Sequence, residues 1–532
     1  MKRPPRNEST FWLNYGVNSR SEYFGSFPEI SRFDIILREA EKVPPCTTIL
    51  NGRLANVMNE NVAAVIAKSD TSGWKKIEVE FGDDFLEILV PPDCVILRMK
   101  KMPPLAHTTE EITHALNNPI GSPTLDEIIR RKGKPVDKLT VCVTVSDITR
   151  PVPYKGKTGI LPPLLEIIEG VGVKRNNVVI VVGNGMHRSS THDEKVAMFG
   201  PDIVDNYRFV DHDCEDLSSQ VLAAHTTKGT EVYVNKTFYD ADIKIVTGLV
   251  ESHFMAGVSG GRKAVCPALV NTKTIQKFHG VEFLEHPNAT NLVLEGNPCH
   301  EEALEVAQTV GVDFMISTTL DNKLSITGVF AGDLVDAHLA AFEAMKEYVQ
   351  IPIEEPFDLV LTHAGYVGRD HYQSVKAAVC AMPAVKEAGL IVMVANNCDA
   401  EPIGSQEYKT LLHLFKILGP HRYISILRHP DWVFTKDQWE PEMWGKPIRK
   451  VGEDGLIYCA AQIPERDYKI IPGASGYDFI DGSTEHGSVT KKAAVMFQNA
   501  VIYAVHHPRF DGRKPTVAFI QEGPYAIPIA QK

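Results

Sequence analysis

The chain has 532 residues, a formal net charge of −12, and 44% hydrophobic and 23% charged residues. This length exceeds what one hydrophobic core usually serves, so we expect at least two domains of a folded protein. The negative charge argues against a general nucleic-acid or anionic-membrane binder. No apolar run approaches the roughly 20 residues that span a bilayer, and the amino terminus lacks the apolar segment of a signal peptide.

Cysteine usage indicates the redox environment. The nine cysteines are scattered and none forms a C-x-x-C pair. This pattern is typical of reduced thiols and argues against a disulfide framework or a thiolate zinc site. We therefore expect a cytoplasmic protein without nucleic-acid or membrane partners.

Residues 1–73 show no regular period and are expected to form an N-terminal extension. Aromatic residues such as Phe11 and Trp12 argue against a free disordered tail, because a disordered segment is usually poor in aromatics. The next segments, WKKIEVEF and FLEILVPP, alternate apolar and polar residues around a GDD turn. This pattern predicts a β-hairpin.

From residue 139 the pattern becomes an α/β alternation. Apolar runs predict strands at LTVCVTVS, NVVIVVG and DIKIVTG, and the series continues through the helical HEEALEVAQTV and DAHLAAFEAMKEYV. THDEKVAMFG predicts a capped helix that ends at a glycine. The segment IPIEEP, with two prolines, predicts a linker near residue 352.

A second α/β series follows the predicted linker. Its expected strands are FDLVLTH, GLIVMVANN, YISILRH and PTVAFIQEG, and its expected helices are YQSVKAAVCAM and YKTLLHLFKIL. The fold class is therefore α/β, with two Rossmann-like domains at 74–352 and 353–532 and an active-site cleft between them. The last strand could also return to the first domain. Ligands of such sheets bind at the carboxyl ends of the strands.

Two polar motifs directly follow predicted strands. In SDITRP, Asp147 and Arg150 flank a turn, and Arg150 could hold a carboxylate or phosphate by a bidentate contact. In GNGMHRSST, the glycines permit a sharp turn at the sheet edge and His187 precedes a helix start that favours anions. A structural ion pair at the first turn and a structural histidine at the second are the alternatives.

A glycine-rich motif, ESHFMAGVSGGRKAVCP, follows the strand DIKIVTG. It is similar to a P-loop, but Arg262 intervenes before the lysine and Ala264 replaces the magnesium-binding hydroxyl, so an NTPase is poorly supported. Lys263, if desolvated beside Arg262, would have a depressed pKa and could act as a nucleophile. A solvated surface turn is the alternative. His253 and His279 could move protons or bind metal, although their spacing alone is no metal signature.

The helix start GRDHYQSVKA carries a fourth candidate set. Tyr372 and Lys376 lie four residues apart, so they share one helix face and could reach into the cleft. An ordinary helix is the alternative. Trp439, in DQWEPEMW, either closes an apolar pocket or packs in the core.

Taken in order, these motifs resemble those of the nickel-dependent lactate racemase family. The resemblance extends from about residue 74 to the C-terminus and excludes residues 1–73. It rests on the segments NNPIGSPTLDEI, SDITRPVP, GNGMHRSSTHDE, ESHFMAGVSGGRKAVCP, EGNPCHEEA, YQSVK and DQW.

The resemblance implies a nickel pincer nucleotide, a Ni(II)-pyridinium-3,5-bisthiocarboxylate mononucleotide. Lys263 would form a thioamide link to it, His279 would bind Ni(II), and His187 and His253 would be the acid/base residues. The further cofactor contacts implied are Asp147, Ile148, Thr149 and Arg150. The substrate side implied comprises Tyr372, Gln373, Lys376 and Trp439.

The implied activity is racemisation or 2-epimerisation of a 2-hydroxy acid. The α-hydrogen would move reversibly as hydride to the tethered cofactor, while histidines exchange the hydroxyl proton near neutral pH. Other proteins would make and insert the cofactor, so recombinant protein made without them would lack it. An oligomer is compatible with the sequence.

One stretch departs from the family pattern. Arg369, Asp370 and His371 stand where lactate-specific members carry an Asp-Gln-Asn run, and the stretch is one residue shorter. We therefore expect a substrate larger or more polar than lactate, such as a sugar acid or a dicarboxylate.

Two other functions are compatible with the fold class. An NAD-type oxidoreductase is weakened because no G-x-G-x-x-G opens a βαβ unit with an acidic residue about 20 positions later. A non-catalytic nucleotide- or metal-binding homologue would not need both His187 and His253.

Overall fold

The computed structural model describes residues 54–321, 323–481 and 487–531, with side chains from residue 61 onward. The predicted N-terminal extension therefore lies mostly outside the described residues. Its last part forms a helix, α1 (Leu54–Lys68).

Strands and helices alternate through the described residues. The strands are β1 (Lys75–Phe81), β2 (Asp84–Val90), β3 (Val95–Leu97), β4 (Val141–Ser146), β5 (Val178–Gly183), β6 (Arg208–Asp211), β7 (Gln220–His225), β8 (Glu231–Asn235), β9 (Ile243–Leu249), β10 (Ser252–His253), β11 (Gly257–Val258), β12 (Phe314–Leu320), β13 (Ile326–Gly332), β14 (Gln350–Ile353), β15 (Phe357–His363), β16 (Val385–Val394), β17 (Leu456–Cys459), β18 (Ala474–Ser475), β19 (Val517–Ile520) and β20 (Ile527–Ala530).

Helices connect and cover these strands. After α1 they are α2 (Thr108–Asn117), α3 (Leu125–Arg130), α4 (Leu161–Gly170), α5 (His192–Phe199), α6 (Pro201–Asn206), α7 (Lys236–Tyr239), α8 (Thr272–Phe278), α9 (Val281–Leu284), α10 (Pro298–Val310), α11 (Asp336–Val349), α12 (His371–Ala381), α13 (Gln406–Leu427), α14 (Trp439–Val451) and α15 (Val489–Val505). The predicted capped helix is α5, where Thr191 and Glu194 form a capping box and Gly200 follows the last turn.

The first six-stranded sheet has the order β13-β12-β9-β4-β5-β6. All neighbours pair in parallel except β12 and β13, which are antiparallel. Helix α4 covers one face, burying Leu161, Leu164, Leu165 and Ile168 at helical spacing. Full burial of each such side chain stabilises the fold by roughly 1.5–3 kcal/mol.

The second six-stranded sheet has the order β18-β17-β16-β15-β19-β3, and every neighbouring pair is parallel. The predicted hairpin is confirmed as β1 and β2. Its buried face and β3 pack with this second sheet. The segment from residue 75 to residue 97, predicted as the start of the first domain, therefore contributes to the core of the second sheet.

The predicted linker IPIEEP is partly a strand. Residues of β14 pair in parallel with β20, from Gln350 with Ile527 to Ile353 with Ala530. The prediction was wrong at this point because the strand is completed by a partner about 180 residues later, which no local pattern reveals. The last predicted strand, β19, lies in the second sheet. The strand that follows it, β20, pairs with β14 in a separate two-stranded sheet.

The predicted strand YISILRH is helical and forms the second half of α13. Gly419, with φ of 73°, interrupts that helix just before Pro420. The buried residues Tyr423, Ile424 and Leu427 follow a helical spacing, not the alternation of a strand.

Two further features concern the cysteines and the length of the helices. Each of the eight cysteines in the described ranges has a free thiol. None of the helices in those ranges is long and apolar enough to cross a bilayer.

Candidate functional site

Three of the predicted motifs meet at one edge of the first sheet. Strands β9, β4 and β5 are neighbours and run parallel, so their carboxyl ends lie side by side. Asp147 directly follows β4, His187 lies in the turn after β5, and His253 lies just after β9. This is the edge at which parallel α/β sheets bind ligands.

Asp147 and His187 form a hydrogen-bonded pair. The distance from His187 Nδ1 to Asp147 Oδ2 is 2.6 Å, and Asp147 Oδ1 accepts hydrogen bonds from the Thr149 hydroxyl at 2.5 Å and its main-chain N–H at 3.1 Å. Burial alone would raise the pKa of Asp147, but these hydrogen bonds outweigh burial and hold its pKa below the usual value. The carboxylate therefore keeps a proton on Nδ1 of His187 and leaves Nε2 as an acceptor. Ile148, which lies between Asp147 and Thr149 in the sequence, projects outward and is 49% exposed.

Arg150 does not pair with Asp147 across the turn. Its Nη1 lies 3.0 Å from Oε1 of Glu251, which belongs to the loop after β9. The ion pair thus joins two motifs that are about 100 residues apart in the sequence. Glu251 was missed by the sequence analysis, although it lies two residues before the histidine of the ESH motif.

His253 has the opposite arrangement to His187. Its Nδ1 accepts hydrogen bonds from the main-chain N–H groups of Met255 and Ala256, both at 3.2 Å. Burial, followed by the positive charges of Lys263 and Arg150, lowers the pKa of His253 well below its usual value.

The glycine-rich loop places Lys263 on a short 3₁₀ turn, Gly261–Ala264. Gly261 has a positive φ of 52°, and a Cβ atom there would lie 2.5 Å from the ring of His338. The loop's own packing therefore requires glycine at this position. The ammonium group of Lys263 lies 4.7 Å from the centre of the Phe278 ring. Burial, and then the charge of Arg262, lowers the pKa of Lys263 to about 7.

His279 directly follows α8 and faces the same region. Its Nδ1 donates to the carbonyl of Ile275 at 3.0 Å, so Nε2 keeps its lone pair. Its ring stacks on Trp439, with ring centres 4.6 Å apart and planes inclined by 30°. Burial, followed by the charge of Lys263, lowers the pKa of His279 to about 3, so the imidazole stays neutral.

Trp439 connects His279 to the helix that carries the predicted substrate residues. The indole N–H donates to the hydroxyl of Tyr372 at 2.8 Å. Tyr372 and Lys376 lie one turn apart on α12, and Gln373 lies beside Tyr372 with its main-chain N–H capped by Asp370 at 2.7 Å. Contacts therefore run from Lys263 through Phe278, His279 and Trp439 to Tyr372.

A small cavity of about 40 Å³ lies at the loop that follows β9. It is lined by Arg150, Glu251, Ser252, His253, Phe254, Asn291, Val367, Lys376, Cys380, Pro524 and Tyr525. Residues of both predicted domains therefore line it. The sequence analysis missed Asn291 and Tyr525, because neither belongs to a motif that was selected from the sequence.

Lys376 is a cation without an ion-pair partner within 4 Å among the described residues. Burial, and then the nearby charge of Arg150, lowers its pKa, while Glu251 and Glu440 oppose the shift. A cation held in a partly buried cavity without a counter-ion favours an anionic ligand, since the ligand supplies the missing charge.

The three residues that depart from the family pattern do not line the cavity. Arg369 pairs with Asp399 at 2.8 Å. His371 is fully buried, stacked on Trp444 with ring centres 4.5 Å apart. Asp370 caps α12, and burial raises its pKa to about 6. Their side chains therefore act in packing and helix capping.

Comparison with known proteins agrees with the motifs. A family model described as the lactate racemase N-terminal domain matches residues 81–291. The chain is 37% identical over 339 residues to the lactate racemase of Lactiplantibacillus plantarum, covering 63% of this chain and 77% of that protein. It is 33% identical over 384 residues to the lactate racemase of Thermoanaerobacterium thermosaccharolyticum, covering 70% of this chain and 84% of that protein.

Solved structures share the fold. The lactate racemase apoprotein from Thermoanaerobacterium thermosaccharolyticum superimposes with a TM-score of 0.72 at 27% identity, covering 85% of this chain and all of that one. A protein from Thermotoga maritima superimposes with a TM-score of 0.52 at 16% identity, covering 77% of this chain and all of that one, which is a likeness of fold alone. Given its identity to curated relatives over most of their length, the chain belongs to the lactate racemase family of isomerases.

Proposed function

We propose that the chain racemises or 2-epimerises a 2-hydroxy acid with the help of a nickel pincer nucleotide tethered to Lys263. The observation that carries this proposal is that a lysine of lowered pKa and a histidine both contact the Phe278 ring, and that Nε2 of this histidine has no hydrogen-bond partner in the part of the chain that the structure describes. The amine could be acylated and the imidazole could bind a metal. Both side chains contact the Phe278 ring.

The residues present fit such a cofactor. A metal-binding histidine usually donates its second ring N–H to a carbonyl or carboxylate, as His279 does to Ile275. Neutral imidazole suits Ni(II), and so do sulfur ligands. Among the described residues no group of three or more His, Cys, Asp and Glu side chains is arranged to hold a metal, so the proposed cofactor would supply the other donors.

Lys263 would hold the cofactor covalently through its amine, and His279 would bind the metal. Asp147 to Arg150 would border the nucleotide from the end of β4. When bound, the group supplies a reversible acceptor for the hydrogen of the substrate α-carbon. Maturation by cofactor-synthesising proteins is part of the same proposal.

The protein's own residues orient the acid and move one proton. Lys376 would bind the substrate carboxylate, since this cation lines the cavity and has no ion-pair partner within 4 Å among the residues that the structure describes. Gln373 would add a hydrogen bond from the adjacent turn. His187 would accept the hydroxyl proton at Nε2, because Asp147 stabilises both the required tautomer and the imidazolium that forms.

A substrate larger or more polar than lactate is also proposed. Arg369 and His371 have partners elsewhere and do not line the cavity, so the support for this proposal is the polar side chains of Asn291 and Tyr525 on the cavity wall. A panel of 2-hydroxy acids of increasing size would test it. Turnover of lactate alone would contradict it.

The decisive experiment measures intact mass, nickel content and racemisation together. The protein would be produced with the enzymes that make the cofactor, beside Lys263→Ala and the control Lys273→Ala, which removes an exposed lysine of α8. We expect a mononucleotide-sized mass increase with nickel in wild type and in the control, and neither in Lys263→Ala. Chiral chromatography should show racemisation of at least one acid.

Two results would favour the other functions. Reduction of an added 2-oxo acid by NADH, without nickel or added mass, would support an NAD-type oxidoreductase. Bound cofactor without turnover of any acid, unchanged when His187 is substituted, would support a non-catalytic binding protein.

A further inference from the structure

The motif EGNPCHEEA has no role in the function proposed above. Its asparagine, Asn297, is 0% exposed and lies directly before α10. The side-chain oxygen of Asn297 accepts hydrogen bonds from the main-chain N–H groups of Cys299 at 3.0 Å and His300 at 3.4 Å. This is the ordinary role of a helix cap, which serine or aspartate would fill equally well.

The side-chain nitrogen of Asn297 makes contacts that a helix cap does not need. Nδ2 donates to the carbonyl of Met255 at 3.0 Å and to the carbonyl of Val293 at 2.9 Å. Ionised aspartate has no donor, and serine has a single, shorter hydroxyl. Only asparagine therefore combines the cap of α10 with a hydrogen bond to the turn between β10 and β11.

This turn contacts His253. The carbonyl of Met255 and the N–H of Ala256 belong to one planar peptide group, so the direction of one fixes the direction of the other. The N–H of Ala256 donates to Nδ1 of His253 at 3.2 Å. Asn297 therefore bonds to one side of a peptide group whose other side bonds to His253.

The segment before Asn297 also lies against the turn. The N–H of Leu292 donates to the carbonyl of Gly257, the first residue of β11, at 3.0 Å. Gly257 has a positive φ of 78°, and a Cβ atom there would lie 2.2 Å from the carbonyl oxygen of Val293. The two backbones are so close that a side chain at position 257 would not fit, so the turn has little room to shift.

We propose that Asn297 is a positioning residue that orients His253 through the Met255–Ala256 peptide group. This inference rests on the proposed racemase function, with His253 as one of the two histidines expected to exchange the substrate proton. The turn holds Nδ1 of His253, and the ring lines the cavity together with Lys376. Proton exchange requires a short, fixed distance between the ring and the substrate, so a ring that turns freely would react slowly.

The orientation of His253 can be measured in protein without cofactor. Wild type and Asn297→Ser would be labelled with ¹⁵N-histidine, and His253→Gln would assign the signal of position 253 by its loss. Serine can still cap α10, so we expect a folded protein in which the Nδ1 shift of His253 is altered. Asn235→Ser is the matched control, because Asn235 is a buried cap of α7 whose side chain bonds to Phe238 and His212 instead. Its His253 signal should equal that of wild type.

An unchanged His253 signal in folded Asn297→Ser would overturn the proposal. If this variant does not fold, wild type alone decides. A signal that shows hydrogen on Nδ1 of His253 would mean that the two N–H groups do not hold the ring, and this would overturn the proposal too. Neither result depends on whether the chain is a racemase.

Cofactor-loaded protein separates orientation from substrate binding. Asn297→Ser should lower kcat about five- to tenfold, while KM should change less than about twofold because Lys376 would still hold the carboxylate. Asn235→Ser should leave both constants unchanged. A rise in KM at unchanged kcat, or an equal loss of kcat in both variants, would refute the positioning role. Inactive loaded wild type would refute the racemase function instead, and the labelled protein would still decide whether Asn297 orients His253.

Discussion

The indole of Trp439 lies against the imidazole of His279, with ring centres 4.6 Å apart, while its N–H donates to Tyr372. One side chain of α14 therefore contacts both the predicted metal ligand, His279, and Tyr372 on the helix predicted to bind substrate. Because the two contacts use different parts of the indole, they can be separated by mutation.

Trp439→Phe should keep the stacking and lose the hydrogen bond to Tyr372. We expect kcat/KM of the cofactor-loaded protein to fall about fivefold, since a neutral hydrogen bond contributes about 1 kcal/mol. Tyr372→Phe removes the other partner of the same bond. The double variant should be no worse than the single variants, and fully additive losses would show that the bond does not couple the two residues.

Asp147→Asn should impair proton transfer by His187. The amide cannot stabilise an imidazolium as a carboxylate does, so we expect kcat to fall about 10²-fold or more. Thr149→Val, which removes only the hydroxyl contact to Asp147, is the matched control and should lose less than about tenfold. Loss of the same size in both variants would indicate that the turn is disturbed and that the charge is not the cause.

Lys263 should be reactive near neutral pH in protein without cofactor. Its pKa of about 7 predicts that acylation by acetic anhydride, followed by peptide mapping, reaches half its maximum near that pH. Above it the neutral amine predominates and the rate levels off. In unfolded protein the midpoint should rise toward the ordinary lysine value of about 10.4.

Arg150→Gln is the matched variant for this titration. Arg150 is one of the charges that lower the pKa of Lys263, so its removal should move the midpoint upward. An unchanged midpoint would mean that burial and the charge of Arg262 set the pKa of Lys263 without a contribution from Arg150.

Asp358 should stabilise the second sheet through its charge. It is the second residue of β15, is 4% exposed, and accepts hydrogen bonds from Arg513 at 2.8 and 2.9 Å and from Thr516. We expect Asp358→Asn to lower the free energy of unfolding by about 2 kcal/mol, less than for a fully buried pair because Arg513 is 55% exposed. Asp399→Asn, which breaks the exposed pair with Arg369, should cost less than about 1 kcal/mol.

The pH dependence of this effect has a definite sign. The hydrogen bonds from Arg513 hold the folded pKa of Asp358 below its unfolded value, so the contribution is present above about pH 4 and is lost as the pH falls. Urea unfolding of wild type and Asp358→Asn at pH 7, 5 and 3 should show the difference shrinking at pH 3. A difference that grows on acidification would contradict the assignment.

Much of the first sheet could be predicted because its signals are local. Continuous apolar runs marked β4, β5 and β9, and the polar motifs after them marked Asp147, His187 and His253. The second half of α13 and the strand β14 were predicted wrongly, because a short apolar segment is compatible with either structure until its partners are known. β14 is a strand only because β20 lies beside it.

The sequence by itself determined which polar motifs follow the strands of the first sheet, since strand and motif both depend on neighbours within a few positions. Only the tertiary structure decided which partners those side chains contact. It placed Tyr525 and Asn291 on the cavity wall, turned His371 into the core, and paired Arg150 with Glu251. It also decided which ring nitrogen of His253 carries hydrogen, because that depends on the direction of two N–H groups in a folded turn.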